Sequence, residues 1–227
     1  MIYIIVIIAA LIVLGILAAA SFRMDLNLYL KSYCKDESEA GRAVMISFDD
    51  GPHPVHTAEV LDILKQRGVK ALFFLIGEKA LENPHLVRRI VSEGHIIGIH
   101  SLTHSTEFTI YSKKRVKRDL EASKKILDEI SGQNIMLFRP PFGVTNPAIG
   151  KAVKELGLIS VGWSVRSFDT LYENNTEKTT KRVVKRLKHG SILLLHDRLT
   201  NSAGLLENIL DYLVVNNYDA KIFKRVF

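Results

Sequence analysis

Val44-Met45-Ile46-Ser47-Phe48-Asp49-Asp50-Gly51-Pro52 is an apolar run of strand length that stops abruptly at two adjacent carboxylates and then at turn-forming residues. Working outward from it, the same grammar repeats along the chain. Apolar runs predict strands over 44–48, 71–76, 96–99, 136–138, 159–165, 191–195 and 220–223, and stretches of helical period predict helices over 57–67, 85–93, 112–130, 147–156, 177–188 and 204–215. Strands alternating with helices imply an α/β fold, a parallel sheet with right-handed crossovers, either doubly wound or closed into a barrel. No Gly-x-Gly-x-x-Gly follows the first strand, which weakens a dinucleotide-binding fold. In a barrel, function belongs at the C-terminal ends of the strands, where the polar clusters fall.

Each cluster alone has a bland reading. Asp49-Asp50-Gly51-Pro52 could be only a turn. His100-Ser101-Leu102-Thr103-His104 could be two surface histidines, although a spacing of four puts both on one face of a helical turn. Arg139-Pro140-Pro141-Phe142-Gly143 could be a stiff loop with one guanidinium. His196, at the end of Ile192-Leu193-Leu194-Leu195, could be a core histidine. Together they read differently. An aspartate and two histidines at neighbouring strand ends make a metal triad with open positions, and a second, adjacent aspartate is left free to act as a base. His196 is then the natural proton donor.

These four segments, in this order and spacing, resemble the polysaccharide deacetylase (NodB-like, carbohydrate esterase 4) family over about 44–223. The resemblance implies a distorted (β/α) barrel with about seven parallel strands. It further implies that Asp50, His100 and His104 bind one divalent metal ion, usually zinc, that Asp49 is a general base held by Arg139, and that His196 is the general acid. The Phe142 backbone N–H would help stabilise the oxyanion, and Trp163 and Leu194 would line the acetyl pocket. One departure stands in Trp163-Ser164-Val165-Arg166-Ser167-Phe168-Asp169-Thr170: Arg166 occupies a position where the family often has an aspartate, and Thr170 one where it often has tryptophan. That aspartate normally orients the catalytic histidine, so Asp169 is the candidate replacement.

The implied activity is removal of N-acetyl groups from an amino-sugar polymer such as peptidoglycan or a chitin-like glycan. Two alternatives accompany it: a deformylase or deacetylase of a lipid-linked sugar at the membrane face, and a non-catalytic glycan-binding domain.

Residues 2–20 are all apolar or glycine, long enough at 1.5 Å per residue to cross about 28 Å of hydrocarbon. The organisation expected is a transmembrane anchor or signal segment over 1–21, a juxtamembrane linker over 22–42 and a catalytic domain over 43–227. The stretch has no basic residues before it, which favours an uncleaved anchor. Arg23, Lys31 and Lys35 follow it, so the positive-inside rule points the domain to the cytoplasm, whereas a cell-wall substrate points it outside. The extracytoplasmic placement is the working expectation. The single Cys34 excludes an internal disulfide and reads as a spectator in the linker. A net charge of +7 suits acidic partners, but the basic residues form no single stripe and no nucleic-acid motif is present, so a glycan and a membrane are the expected partners and nucleic acid is not. Oligomeric state is not encoded in any pattern found.

Overall fold

The computed structural model describes residues 1–226; Phe227, the last residue of the expected catalytic domain, lies outside them. Its strands are β1 (Ser32–Tyr33), β2 (Ala43–Gly51), β3 (Leu72–Leu75), β4 (Ile96–Ile99), β5 (Leu137–Phe138), β6 (Ile159–Val161), β7 (Val165–Arg166), β8 (Ser191–His196) and β9 (Asp219–Ala220). Its α-helices are α1 (Ile2–Phe22), α2 (His56–Gln66), α3 (Gly77–Glu82), α4 (Pro84–Ser92), α5 (Lys113–Ser131), α6 (Pro147–Glu155), α7 (Thr176–Arg186) and α8 (Ser202–Val215). The strands pair in parallel in the order β1-β6-β5-β4-β3-β2-β8-β7, with β9 added beside β2. The sheet curls into a half-barrel of the expected class.

Strand β2 shows how the sequence produces this layering. Side chains alternate along a strand, so Val44, Ile46 and Phe48 enter the large core under the helices, while Ala43 and Met45 join Leu72, Phe74, Leu137, Val161 and Ile192 in a smaller cluster on the opposite face. By the same parity Ser47 and Asp49 belong to the smaller cluster's side. Arg139, at the end of β5, meets both of them there: it is fully buried, its guanidinium lies 4.1 Å above the Phe74 ring, and it bonds Ser47 Oγ and Asp49.

Two expectations are corrected. The run 159–165 is not one strand: Gly162-Trp163-Ser164 interrupts it. Its first half pairs β5 and β1 and its second half pairs β8, so this stretch spans the opening between the sheet's two ends. Gly162 N–H donates to the Tyr33 carbonyl and Ser164 N–H to Ile192, which ties the two edges through it.

The other correction concerns 22–42, which is not a free linker. Met24, Leu30, Cys34 and Asp36 are buried, β1 extends the sheet, and Lys35 forms an antiparallel bridge with Ser191. Gly150 on α6 lies so close to the Tyr29 carbonyl that a Cβ there would collide with it. A two-residue edge strand carries no readable periodicity, which is why a polar composition resembled a tether. Helix α1 is long and apolar enough to cross a membrane and is exposed along nearly its whole length. Its end is fixed to the domain, because Thr145 donates to the Ser21 and Ala20 carbonyls.

Candidate active site

Strands β2 and β8 run in parallel with Asp49 and His196 as register partners, so the expected base and acid emerge side by side from a fully paired piece of sheet. Asp50 would ordinarily point to the other face. Instead the β2–β3 register shifts between Asp49 and Gly51, and Asp50 has a left-handed backbone (φ 72°), a conformation that aspartate tolerates better than most residues. The bulge lets both carboxylates line one cavity, about 190 Å³ in volume, with His100, His104, Trp163, Leu194 and His196.

The histidine pair arrives by a different route from the one expected. Residues 100–104 are not a helical turn but a loop with left-handed Ser101 (φ 68°) and His104 (φ 56°), and it sets the two rings 4.9 Å apart. Helix α5 secures this loop: Asp119 accepts the Leu102 N–H and Ser123 Oγ donates to the Ser101 carbonyl. His100 Nδ1 lies 2.8 Å from the Arg139 carbonyl, so it carries the proton and leaves the Nε2 lone pair facing the cavity.

His100 Nε2 and His104 Nε2 lie 3.4 and 3.2 Å from Asp50 Oδ1, and the three ligand atoms lie within 4.8 Å of one another. Asp50 Oδ1 is buried without a hydrogen-bond partner. A tetrahedral ion with bonds near 2.1 Å spaces its ligand atoms roughly 3.4 Å apart, so the donors fit a zinc-like divalent ion. Their charge states fit as well. Burial, and then the neighbouring His100, lowers His104 to about 4, leaving it a neutral ligand at pH 7. Burial alone would raise Asp50, but the surrounding histidines hold its carboxyl far below the usual range, so it is ionised.

Asp49 divides its two oxygens. Oδ1 accepts from Arg139 Nη1 at 2.6 Å, and Oδ2 faces His100 Nε2 at 3.8 Å. Arg139 is itself fixed by donating to the Val161 and Gly162 carbonyls. His196 Nδ1 lies 2.8 Å from Asp169 Oδ1, while Asp169 Oδ2 accepts the His196 backbone N–H. Burial would lower the His196 pKa, but Asp169, joined by the Asp50 and Asp49 charges, outweighs it and the net shift is upward. Arg166 lies over Phe168 and Trp163.

The Phe142 ring packs 4.5 Å from His104. Its neighbour Gly143 has φ 69° and abuts the Trp163 ring so closely that any side chain would displace it. All ten expected site residues therefore lie at the mouth of the half-barrel; Arg139 and Asp169 support the cavity from beneath, and the other eight line it.

Sequence reasoning missed Arg198, whose Nε donates to Asp50 Oδ2 at 2.9 Å, and Lys79, which donates to the Asp50 carbonyl. It also missed Asp197, fully buried, bonded to Thr57 and pushed up to about 6 by that burial. Only their closeness to His196 marked Asp197 and Arg198 beforehand; Lys79 had no signal.

Comparison with known proteins gives concordant results. A family model described as polysaccharide deacetylase matches residues 36–161. A peptidoglycan-N-acetylglucosamine deacetylase of Bacillus cereus is 38% identical over 157 residues, 69% of this chain and 73% of that protein. A chitooligosaccharide deacetylase of Sinorhizobium fredii is 35% identical over 156 residues, 68% of this chain and 72% of that protein. The crystal structure of a peptidoglycan N-acetylglucosamine deacetylase in complex with 4-naphthalen-1-yl-N-oxidanyl-benzamide superposes with a TM-score of 0.79 at 28% identity, over 86% of this chain and 92% of that one.

Proposed function

The chain belongs to the polysaccharide deacetylase family, and from that premise we propose that it is a metal-dependent hydrolase removing N-acetyl groups from an amino-sugar polymer of the peptidoglycan or chitin type. The observation that carries this reading is the meeting of the Asp50-His100-His104 triad with Asp49 and His196 in one cavity. Asp50, His100 and His104 hold the ion, with zinc the expected species. When bound, it supplies positive charge that polarises the acetyl carbonyl and makes nearby water a stronger acid.

The chain's own residues perform the rest. Asp49 takes a proton from the attacking water through the oxygen that Arg139 leaves free. As the C–N bond breaks, the protonated His196 ring donates its Nε2 proton to the departing amine, giving acetate and a free amino sugar. Asp169 orients that ring through its Nδ1–H and favours its charged form, the role the family's usual aspartate would have had at position 166. Trp163 and Leu194 shape the acetyl pocket, and the Phe142 backbone N–H helps stabilise the oxyanion. Helix α1 serves as the membrane anchor, with the catalytic domain on the extracytoplasmic side.

The test is acetate release from N-acetylated glycans with and without added zinc. Chelation is expected to abolish activity and zinc to restore it. His100→Ala is expected to lose both metal and rate, whereas Asp49→Asn keeps the metal and loses turnover. Full activity in metal-free protein overturns the reading.

A further inference from the structure

A cleft of about 620 Å³ adjoins the active site, and Trp163 and Arg166 line both spaces. Its walls carry five cations: Arg23, Lys35, Arg166, Arg182 and Arg186. Two are answered locally, Arg23 by Asp25 at 2.5 Å and Lys35 by Glu37 at 2.7 Å. Arg166, Arg182 and Arg186 have no carboxylate within 4.0 Å among the described residues.

Two of these guanidiniums are held by an aromatic ring, and the third stands beside them on a helix. Arg166 and Arg182 stack on the Phe168 ring at 4.9 and 4.1 Å, and Arg186 stands one helical turn from Arg182 on α7. Burial, and then the Arg186 charge with a smaller effect from Arg166, lowers the Arg182 pKa, while Tyr172 pulls the other way.

Arg166 and Arg186 are exposed and Arg182 is half-buried, so all three present open donors to the cleft, and an anion entering it meets several forks at once. A lone carboxylate offers one charge and two oxygens to three guanidiniums, whereas a phosphate or diphosphate offers several of each and matches their planar geometry. We propose that this cleft binds a phosphoryl group carried by the glycan substrate next to the N-acetylated sugar, so that phosphorylated or diphosphate-linked amino sugars are preferred over neutral oligomers. This rests on the deacetylase reading of the adjoining cavity. Phe22, where α1 ends, lies on the cleft's rim, so the phosphoryl group has two possible sources: a soluble glycan phosphate, or a sugar linked through diphosphate to a membrane lipid.

The experiment uses the full zinc-loaded chain in detergent micelles. Deacetylation rates are compared for N-acetylchitotetraose, its 1-phosphate and its prenyl diphosphate-linked form, and inorganic phosphate is titrated calorimetrically in parallel. A kcat/KM about tenfold higher for one or both phosphorylated forms is expected. In Arg182→Gln/Arg186→Gln that preference is expected to vanish, phosphate binding to weaken by a similar factor, and the rate on the neutral oligomer to change less than about twofold. Arg186→Gln alone, at an exposed helix position, gives a smaller loss of the same kind if the double variant folds poorly.

A preference confined to the prenyl-linked form assigns the source to the membrane; one shared by both forms assigns it to the phosphoryl group itself. Equal rates on all three substrates, or a preference and phosphate affinity unchanged in the variants, overturn the proposal. If no substrate is turned over yet the variants still lose phosphate binding, the deacetylase reading fails and the anion site stands, because phosphate held at the metal site is indifferent to residues 182 and 186.

Discussion

Arg166 ends strand β7 and Asp169 lies three residues beyond it, and the contrast between them bears on how His196 is oriented. A guanidinium has no lone pair to accept the ring N–H, so an arginine at 166 cannot do the work of an aspartate there. Asp169 accepts both the ring Nδ1–H and the backbone N–H of His196. Replacing Asp169 by Asn is expected to leave metal content intact while cutting kcat by roughly ten- to ten-thousand-fold, the range lost with a general acid or its orienting partner. The sign of the pH effect follows from the shift. Asp169 raises the His196 pKa, and an acid must be protonated to act, so activity falls as pH rises through that pKa. Removing the carboxylate lowers the pKa and moves the alkaline limb of the pH–rate profile to lower pH. An unmoved limb with parental kcat would show that another group holds the ring.

Among the elements, strands β2 and β8 could be read directly, because an apolar run ending in Asp or His marks both the strand and its functional end. Their register, which makes Asp49 and His196 neighbours, could not, since it depends on which strands pair. Nor was the bulge at Asp50 readable: a left-handed Asp is common enough in turns that Asp-Gly-Pro signals only a turn. The same holds for residues 100–104, where spacing suggested a helix but Ser101 and His104 take left-handed backbones under anchoring from α5. That anchoring makes its own prediction. Asp119 is pushed up to about 6 by burial, with the Leu102 N–H pulling the other way. Its folded pKa thus exceeds the unfolded value near 4, so its carboxylate is penalised in the folded state and stability falls as pH rises from about 4 to 6. Asp119→Asn keeps an acceptor for Leu102 and removes the penalty. It is expected to bind zinc normally and to gain roughly 1–2 kcal/mol above pH 6, a figure discounted for partial exposure, in denaturant titrations at pH 5 and 7.5. Asp119→Ala removes the acceptor as well, and zinc affinity is expected to drop about tenfold or more, as outer contacts of metal ligands typically do.

At the scale of the whole molecule, the stretch between helix α1 and strand β2 packs against the edge of the sheet. Starting the chain at Glu39 would remove β1 from the sheet edge together with buried Met24, Leu30 and Cys34. The loss of that apolar burial is worth on the order of 3–5 kcal/mol, allowing for partial relaxation of the exposed edge. For a domain of this size each kcal/mol moves Tm by about 2–4 °C, so Tm is expected to fall by roughly 6–20 °C. It would also strip Arg23 and Lys35 from the basic cleft. Starting the chain at Ser21 instead keeps the Thr145 contact to the Ser21 carbonyl and every buried residue of the segment except Ala20. That shorter chain is expected to melt within a few degrees of the full chain in detergent and to release acetate from soluble oligomers at the parental rate, because every proposed catalytic and metal residue lies after position 48. Equal melting temperatures for the chains starting at Ser21 and at Glu39 would show that residues 22–38 are an inert tether after all, and that the wall they give the basic cleft contributes nothing to the fold.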